Sequence, residues 1–489
     1  MALQAQVFAH AQTGVFMDLA LFTLFGQADA AAAAPLDLLG SAKDFVGFAT
    51  THWRFCLLHF LEFAVWGAWF VVLGNMLNAR GFSRSEIGRI YSTMPIGSMI
   101  APLFMAVLAD KYFNTEILIA VSHIVGGILL FMMARTNRAW PFFWMALFYA
   151  VLFSPTLSLV NSIVFAHDAD IFGGKAEAGF PWIRVFGTLG WIAAGLSHTL
   201  ILKKDEPVSA RPMVLAGVLS LILGGFAFTL PATAPAGAAA NGEVAAAAAE
   251  DGATEVAVAD ADAAAAPADD AAPAEVAGAE QSIVSGSIEM LKNNPVFFGV
   301  TFVAAMAMGL YFAFAALFVE KSGISGRTVG PVMTIGQWIE IFFMLSLPWF
   351  LGTDNKNMNF VLMAGISAWA ARFLFFAIGK PLALILLGVA IHGICFDFFF
   401  AAGFINANSI APAGLTATAQ QLYGFLVYGL GMFLGSIGAG WLNEAFTSHT
   451  TDEEGNDVAT TRWSLFWLVP AVIVGASAAL FWFRVSQGG

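Results

Sequence analysis

From Pro295 to Val319 the chain reads PVFFGVTFVAAMAMGLYFAFAALFV, without one charged side chain. A hydrocarbon core about 30 Å thick is crossed by about 20 residues of helix, the element that satisfies every backbone N–H and C=O within its own segment. Segments of this kind recur at about 55–77, 88–109, 115–134, 141–165, 180–202, 210–230, 295–320, 328–351, 357–378, 382–406, 415–443 and 462–484, with ends set to within about 4 residues. They predict an all-α polytopic membrane protein with twelve transmembrane helices in two six-helix halves. Composition agrees, with 59% of residues hydrophobic and 11% charged, where soluble domains carry about a quarter charged. Cys56 and Cys395 lie far apart in apolar stretches, so neither a disulfide framework nor a zinc spacing exists.

Four regions follow: an extension over 1–54, a bundle over 55–230, a linker over 231–294 and a second bundle over 295–489. The linker, rich in Ala and Pro, holds ten acidic residues and no Lys or Arg between Ala232 and Ser282, so most of the net charge of −12 belongs to it. Such a composition lacks the apolar bulk for a core and reads as a tether. The remainder is close to neutral and offers no basic patch for nucleic acid. In the extension, VFMDLALFTLF is eleven residues long and has no basic n-region, which favours an interfacial helix or an extension over a cleaved leader. The expected surroundings are a lipid bilayer, and the expected oligomeric state is a monomer.

A charge at bilayer depth costs about 2.5 kcal/mol or more, so ionisable residues there face the protein interior and serve pathways, proton relays or buried pairs. Five lie well inside the spans: Glu62, Arg184, Glu340, Arg372 and Asp397. If both arginines take a carboxylate partner, one acid is left over, the condition for a group that takes up and releases protons. In GQWIEIFF, Gln337 and Glu340 are three residues apart on one helix face and present an amide beside a carboxyl, a pair suited to vicinal hydroxyls. PWIRVFGTLGW places Arg184 and Thr188 on one face, where a planar fork of donors can meet base carbonyls, stack on a ring or hold a carboxylate. Glu62 opens LEFAVWGAW, with Trp66 continuing its face and Trp69 expected as an interfacial anchor. His392 precedes Asp397 by five residues and reads as a packing histidine. No GxSxG, HExxH or His/Asp cluster occurs in the spans, so no enzyme, catalytic residue, metal site or cofactor is expected.

LEFAVWGAW, LADK, PTLSLVNSI, PWIRVFGTLG, GQWIE, AWAARFLFFAIG, HGICFDFFF and ATAQQLYGFL follow one another through both halves. As an ordered set they resemble the nucleoside:proton symporter family of the major facilitator superfamily. The resemblance implies a twelve-helix importer of the bacterial inner membrane that moves nucleosides with protons by alternating access. Arg184, Thr188, Gln337, Glu340, Phe396 and Asp397 would line its central cavity, with Phe396 stacking on the base and Asp397, Glu340 and Glu62 coupling the proton. LADKYF, after the second span, resembles the superfamily's cytoplasmic loop element and argues for internal termini, although basic residues are then fewer on the inner side. MGLYFAFAALF in the seventh span carries none of the amides that nucleoside carriers of this family can present there. Alternatives left open are a proton-coupled carrier of another hydroxylated solute, such as a sugar or glycoside, and a membrane sensor without net flux.

Overall fold

The computed structural model describes residues 38–173, 176–204, 206–235, 285–412, 415–451 and 457–486. Most of the 231–294 linker and the first 37 residues, with the eleven-residue apolar segment, lie outside them. The chain is helical almost throughout. An entry helix, α1 (Leu38–Thr51), precedes α2 (Trp53–Trp69), which continues as α3 (Leu73–Ala79). Then come α4 (Arg84–Tyr91), α5 (Thr93–Lys111), α6 (Thr115–Arg135), α7 (Ala139–Ala166), α8 (Asp168–Phe172), α9 (Ala176–Ile201) and α10 (Arg211–Ala227). Beyond the linker lie α11 (Pro295–Lys321), α12 (Gly326–Leu351), α13 (Met358–Ile378), α14 (Leu382–Ala390) and α15 (His392–Cys395). A π-helical turn over Phe396–Ala401 leads into α16 (Ala402–Ser409). The chain then forms α17 (Thr416–Gly424), a second π-helical stretch over Phe425–Gly431 and α18 (Met432–Ala445). A small antiparallel hairpin of β1 (Thr447–Thr451) and β2 (Asp457–Thr461), with Thr447 opposite Thr461, precedes α19 (Trp463–Ser486).

Among the described residues, seven helical stretches are long and apolar enough to cross a membrane. An eighth is the pair Leu382–Ala390 and His392–Ser409, bent by 43°. Large apolar side chains such as Phe148, Phe342 and Phe483 point outward from these helices, as lipid-facing surfaces require.

Bundling rests on helix pairs that approach closely because small residues let them. α9 runs along α2, α10 along α6, α5 along α7, α11 along α18 and α13 along α19. A Cβ at Gly97 would stand 2.6 Å from the Ala150 backbone, and one at Gly190 would fall on the Phe60 carbonyl. In α18 two glycines each admit a close contact, Gly435 against the Met306 backbone and Gly440 against Arg84, Ser85 and Gly88.

Hydrogen bonds between the segments before and after the linker gather at one end of the molecule. Asn75 Nδ2 donates to Glu320 Oε2 (2.6 Å) and to the Ala316 carbonyl (3.1 Å). The Arg84 and Ser85 backbone N–H groups donate to Glu444 Oε2 (2.9 and 3.4 Å), and Arg327 Nε donates to the Thr199 carbonyl (2.6 Å). Glu444 thereby caps the first turn of α4 from the far segment, where a helix N-terminus favours a carboxylate.

Gly190→Ala tests the packing. Overfilling a close backbone contact costs about 1–3 kcal/mol, so the melting temperature of the purified protein in detergent falls clearly. Gly225→Ala, at a position with nothing within 4 Å of the added Cβ, keeps the wild-type value; equal melting of the two variants contradicts the packing.

Candidate functional site

α9 brings Arg184, Thr188 and Trp191 to one face, and α12 brings Gln337 and Glu340 to another. With Phe63 and Trp66 of α2, Phe312 of α11, His392 of α15 and Phe396 of the π-helical turn, they enclose a cavity of about 60 Å³. That volume holds a few water molecules.

Glycines set the geometry of both walls. At Gly187 a Cβ would stand 2.6 Å from Arg184 Nη1 and 2.8 Å from the Phe63 ring. Its absence lets the guanidinium fold over Phe63, with Cζ 4.1 Å from the ring centroid, a cation–π contact. Trp66 meets Trp191 edge-on at 5.2 Å. On the opposite wall, Gly336 and Gly393 let α12 and α15 touch: a Cβ on Gly393 would lie 2.7 Å from the Glu340 Cα, and one on Gly336 2.8 Å from the His392 Cβ. His392 Nε2 therefore lies 3.5 Å from Glu340 Oε2. Gln337 Oε1 and His392 Nδ1 are buried and have no hydrogen-bond partner among the described residues, leaving two polar atoms for a solute or water to satisfy.

Five residues expected from the sequence, Arg184, Thr188, Gln337, Glu340 and Phe396, meet in this cavity. Asp397 is not among its lining residues. Its carboxyl is fully buried in the π-helical turn, neither oxygen has a hydrogen-bond partner among the described residues, and Glu340 is its electrostatic neighbour. π-helical turns interrupt the regular ladder and often mark functional positions. Side chains take up the carbonyls near this one: Trp369 Nε1 donates to Cys395 O (2.8 Å) and the Tyr423 hydroxyl to Phe399 O (3.4 Å).

Glu62 also lies outside the cavity, in a polar cluster of its own. Thr156 Oγ1 donates to its Oε1 (2.7 Å), and His123 Nε2 lies 2.8 Å from its Oε2. Arg372 has no carboxylate within ion-pair distance among the described residues. Its Nε donates to Gly388 O (2.9 Å), and its guanidinium lies 4.3 Å from the Tyr311 and 4.8 Å from the Trp369 ring centroids. Aromatic faces thus take the place of the acid expected from sequence. Trp69 is a correction of a different kind: it is buried and meets Tyr149 edge-on at 5.4 Å, so it packs the bundle and anchors no interface.

His392, five residues from Asp397, shares a helix face instead with Phe396, four residues on, and that spacing is the sequence signal for its place on the cavity wall.

A family profile described as "Nucleoside H+ symporter" matches residues 49–254 and 271–487. The chain belongs to the nucleoside:proton symporter family of the major facilitator superfamily. YegT of Escherichia coli (strain K12) is 31% identical over 445 residues, covering 89% of this chain and 94% of its own. Xanthosine permease of the same organism is 28% identical over 449 residues, covering 88% and 94%. Among solved structures, a mutant of the nucleoside transporter NupG superposes with a TM-score of 0.70 at 25% identity, over 88% of this chain and 98% of that one. The family is one of transporters integral to the membrane.

Arg184→Lys is the sharpest test of the α9 wall. Lysine keeps the charge and loses the planar fork and its stack on Phe63. Loss of one charge-assisted hydrogen bond, about 1.5 kcal/mol, raises the half-saturating nucleoside concentration about tenfold. An unchanged value removes the guanidinium from recognition.

Proposed function

We propose that this symporter takes up nucleosides with protons by alternating access, through a central cavity whose walls come from two six-helix bundles over residues 55–230 and 295–489. The observation that carries the reading is one cavity where a donor-rich wall on α9 faces an amide, a carboxyl and an imidazole on α12 and α15. Vicinal ribose hydroxyls, each both donor and acceptor, match Gln337 and Glu340. Base carbonyls match the Arg184 fork, and the ring of the base matches Phe396 or the Trp66–Trp191 wall.

The twelve crossings are the eight apolar spans together with α4 and α5 as one kinked helix, α9, α10 and α12. The additional four include the helices that supply Arg184, Glu340 and Gln337, so polar residues lower their hydropathy where the cavity needs them. The acidic linker is the tether between bundles. LADKYF lies at the end opposite the Asn75, Arg84, Glu320 and Glu444 contacts, so a cytoplasmic LADKYF makes those contacts the closed external side. Rocking of one bundle on the other breaks them, parts the walls and admits a solute from outside.

Each proton driven inward by 100 mV supplies about 2.3 kcal/mol, enough for roughly fortyfold accumulation of a neutral solute. Asp397 and Glu340 are the proposed proton-coupling carboxyls. No covalent step is needed.

Purified protein in liposomes, given labelled uridine and an inward proton gradient, accumulates uridine, and a protonophore abolishes the accumulation. Asp397→Asn, with a neutral side chain of the same shape, loses gradient-driven accumulation. Uptake of glycosides with no uptake of any nucleoside moves the substrate to another hydroxylated solute. Accumulation by Asp397→Asn equal to wild type removes Asp397 from coupling.

A further inference from the structure

The buried cluster around Glu62 joins four helices of one bundle. Glu62 comes from α2, His123 from α6, Thr156 from α7 and Ser220 from α10. Hydrogen positions follow from the donors. Ser220 Oγ donates its one proton to the His123 carbonyl (2.8 Å), so the same oxygen accepts from His123 Nδ1–H at 3.1 Å. His123 Nε2 then faces Glu62 Oε2 at 2.8 Å. That contact needs one proton between the two atoms. Thr156 Oγ1 lies 2.7 Å from Glu62 Oε1 and 2.6 Å from the Phe153 carbonyl, so its one proton is shared between two acceptors, and Tyr149 is a further titratable group near Glu62.

We propose that Glu62 and His123 form a hydrogen-bonded clamp that positions the α2 wall of the cavity. Both are positioning residues, and Glu62 leaves the set of coupling groups expected from sequence. Both carboxyl oxygens and both ring nitrogens are taken, and the two side chains are 0% and 2% exposed. All four helices belong to one bundle, so rocking of the bundles opens no path to water. Glu340, in contrast, lines the cavity that opens.

The clamp reaches the substrate site through its own helix. Phe63, the next residue, carries the Arg184 guanidinium at 4.1 Å. Trp66, one turn on, stands against Trp191 at 5.2 Å. Fixing Glu62 on His123 of α6 and Thr156 of α7, with Ser220 of α10 holding His123, fixes the rotation of α2 and the place of both rings.

The inference rests on proton-coupled nucleoside uptake, and its test separates the two. In liposomes, Glu62→Gln offers a carbonyl to Thr156 and an amide N–H to His123 Nε2. It keeps the wild-type KM for uridine within about twofold, with the same pH profile and proton:uridine ratio. Glu62→Ala strands His123 Nε2 and leaves Thr156 only its bond to the Phe153 carbonyl, and KM rises about fivefold, the size of one lost hydrogen bond, while the ratio is unchanged. If that variant does not fold, Thr156→Val removes one bond at nearly equal shape, with the same expected direction. A shifted pH profile or ratio in Glu62→Gln, or a wild-type KM in both Glu62→Ala and Thr156→Val, overturns the clamp. Should wild-type protein move no uridine with protons, the functional reading fails first. The clamp is then read from melting temperature, where Glu62→Gln melting as low as Glu62→Ala overturns it.

Discussion

A polar group at bilayer depth has no water to fall back on, so each one here must find its partner inside the protein. Arg372 shows the consequence most fully. Its guanidinium lies over Tyr311 of α11 and Trp369 of its own helix, and its Nε binds the Gly388 carbonyl of α14. Trp369 in turn binds the Cys395 carbonyl just ahead of the π-helical turn, and Tyr311 stacks on His392 at 5.6 Å. One buried cation therefore ties α11, α13, α14 and α15 together. It holds the helix that bears His392, Phe396 and Asp397 at the bend where the cavity needs them.

The opposite wall is set by the same constraint with different chemistry. The Glu62 cluster locks α2 to α6, α7 and α10, and Gly187 lets Arg184 lie on Phe63 rather than extend. Each wall is thus rigid in itself. Contact between the segments is lighter: hydrogen bonds such as Asn75 to Glu320 and the Glu444 cap on α4, together with close glycines, at one end. The proposed rocking would exchange contacts of this kind while leaving each wall intact.

Helix positions were legible because the bilayer sets a length that apolar composition reports directly. The span expected at about 295–320 is α11, Pro295–Lys321. The span expected at about 382–406 is a bent pair with a π-helical turn, and nothing in its apolar composition marks where the ladder breaks. Spacing within one helix placed Gln337 with Glu340 and Arg184 with Thr188, since residues three and four apart share a face. Partners from different helices were not legible. His123 and Thr156 meet Glu62 from two other helices, Ser220 meets His123 from a third, and Tyr311 meets Arg372 from a fourth. Charge counting expected acids for the arginines, and the aromatic faces that Arg372 uses are so common in this composition that no single one stood out.

The central claim is that a solute and a proton are handled in one cavity, with Glu340 on its wall. The most direct measurement is the proton movement that a nucleoside itself drives. Uridine added to a weakly buffered suspension of proteoliposomes with no imposed gradient should make the outside medium more alkaline as protons enter with it. Glu340→Gln should abolish that signal. Uridine entry without proton movement, or a full proton signal from Glu340→Gln, would contradict the account.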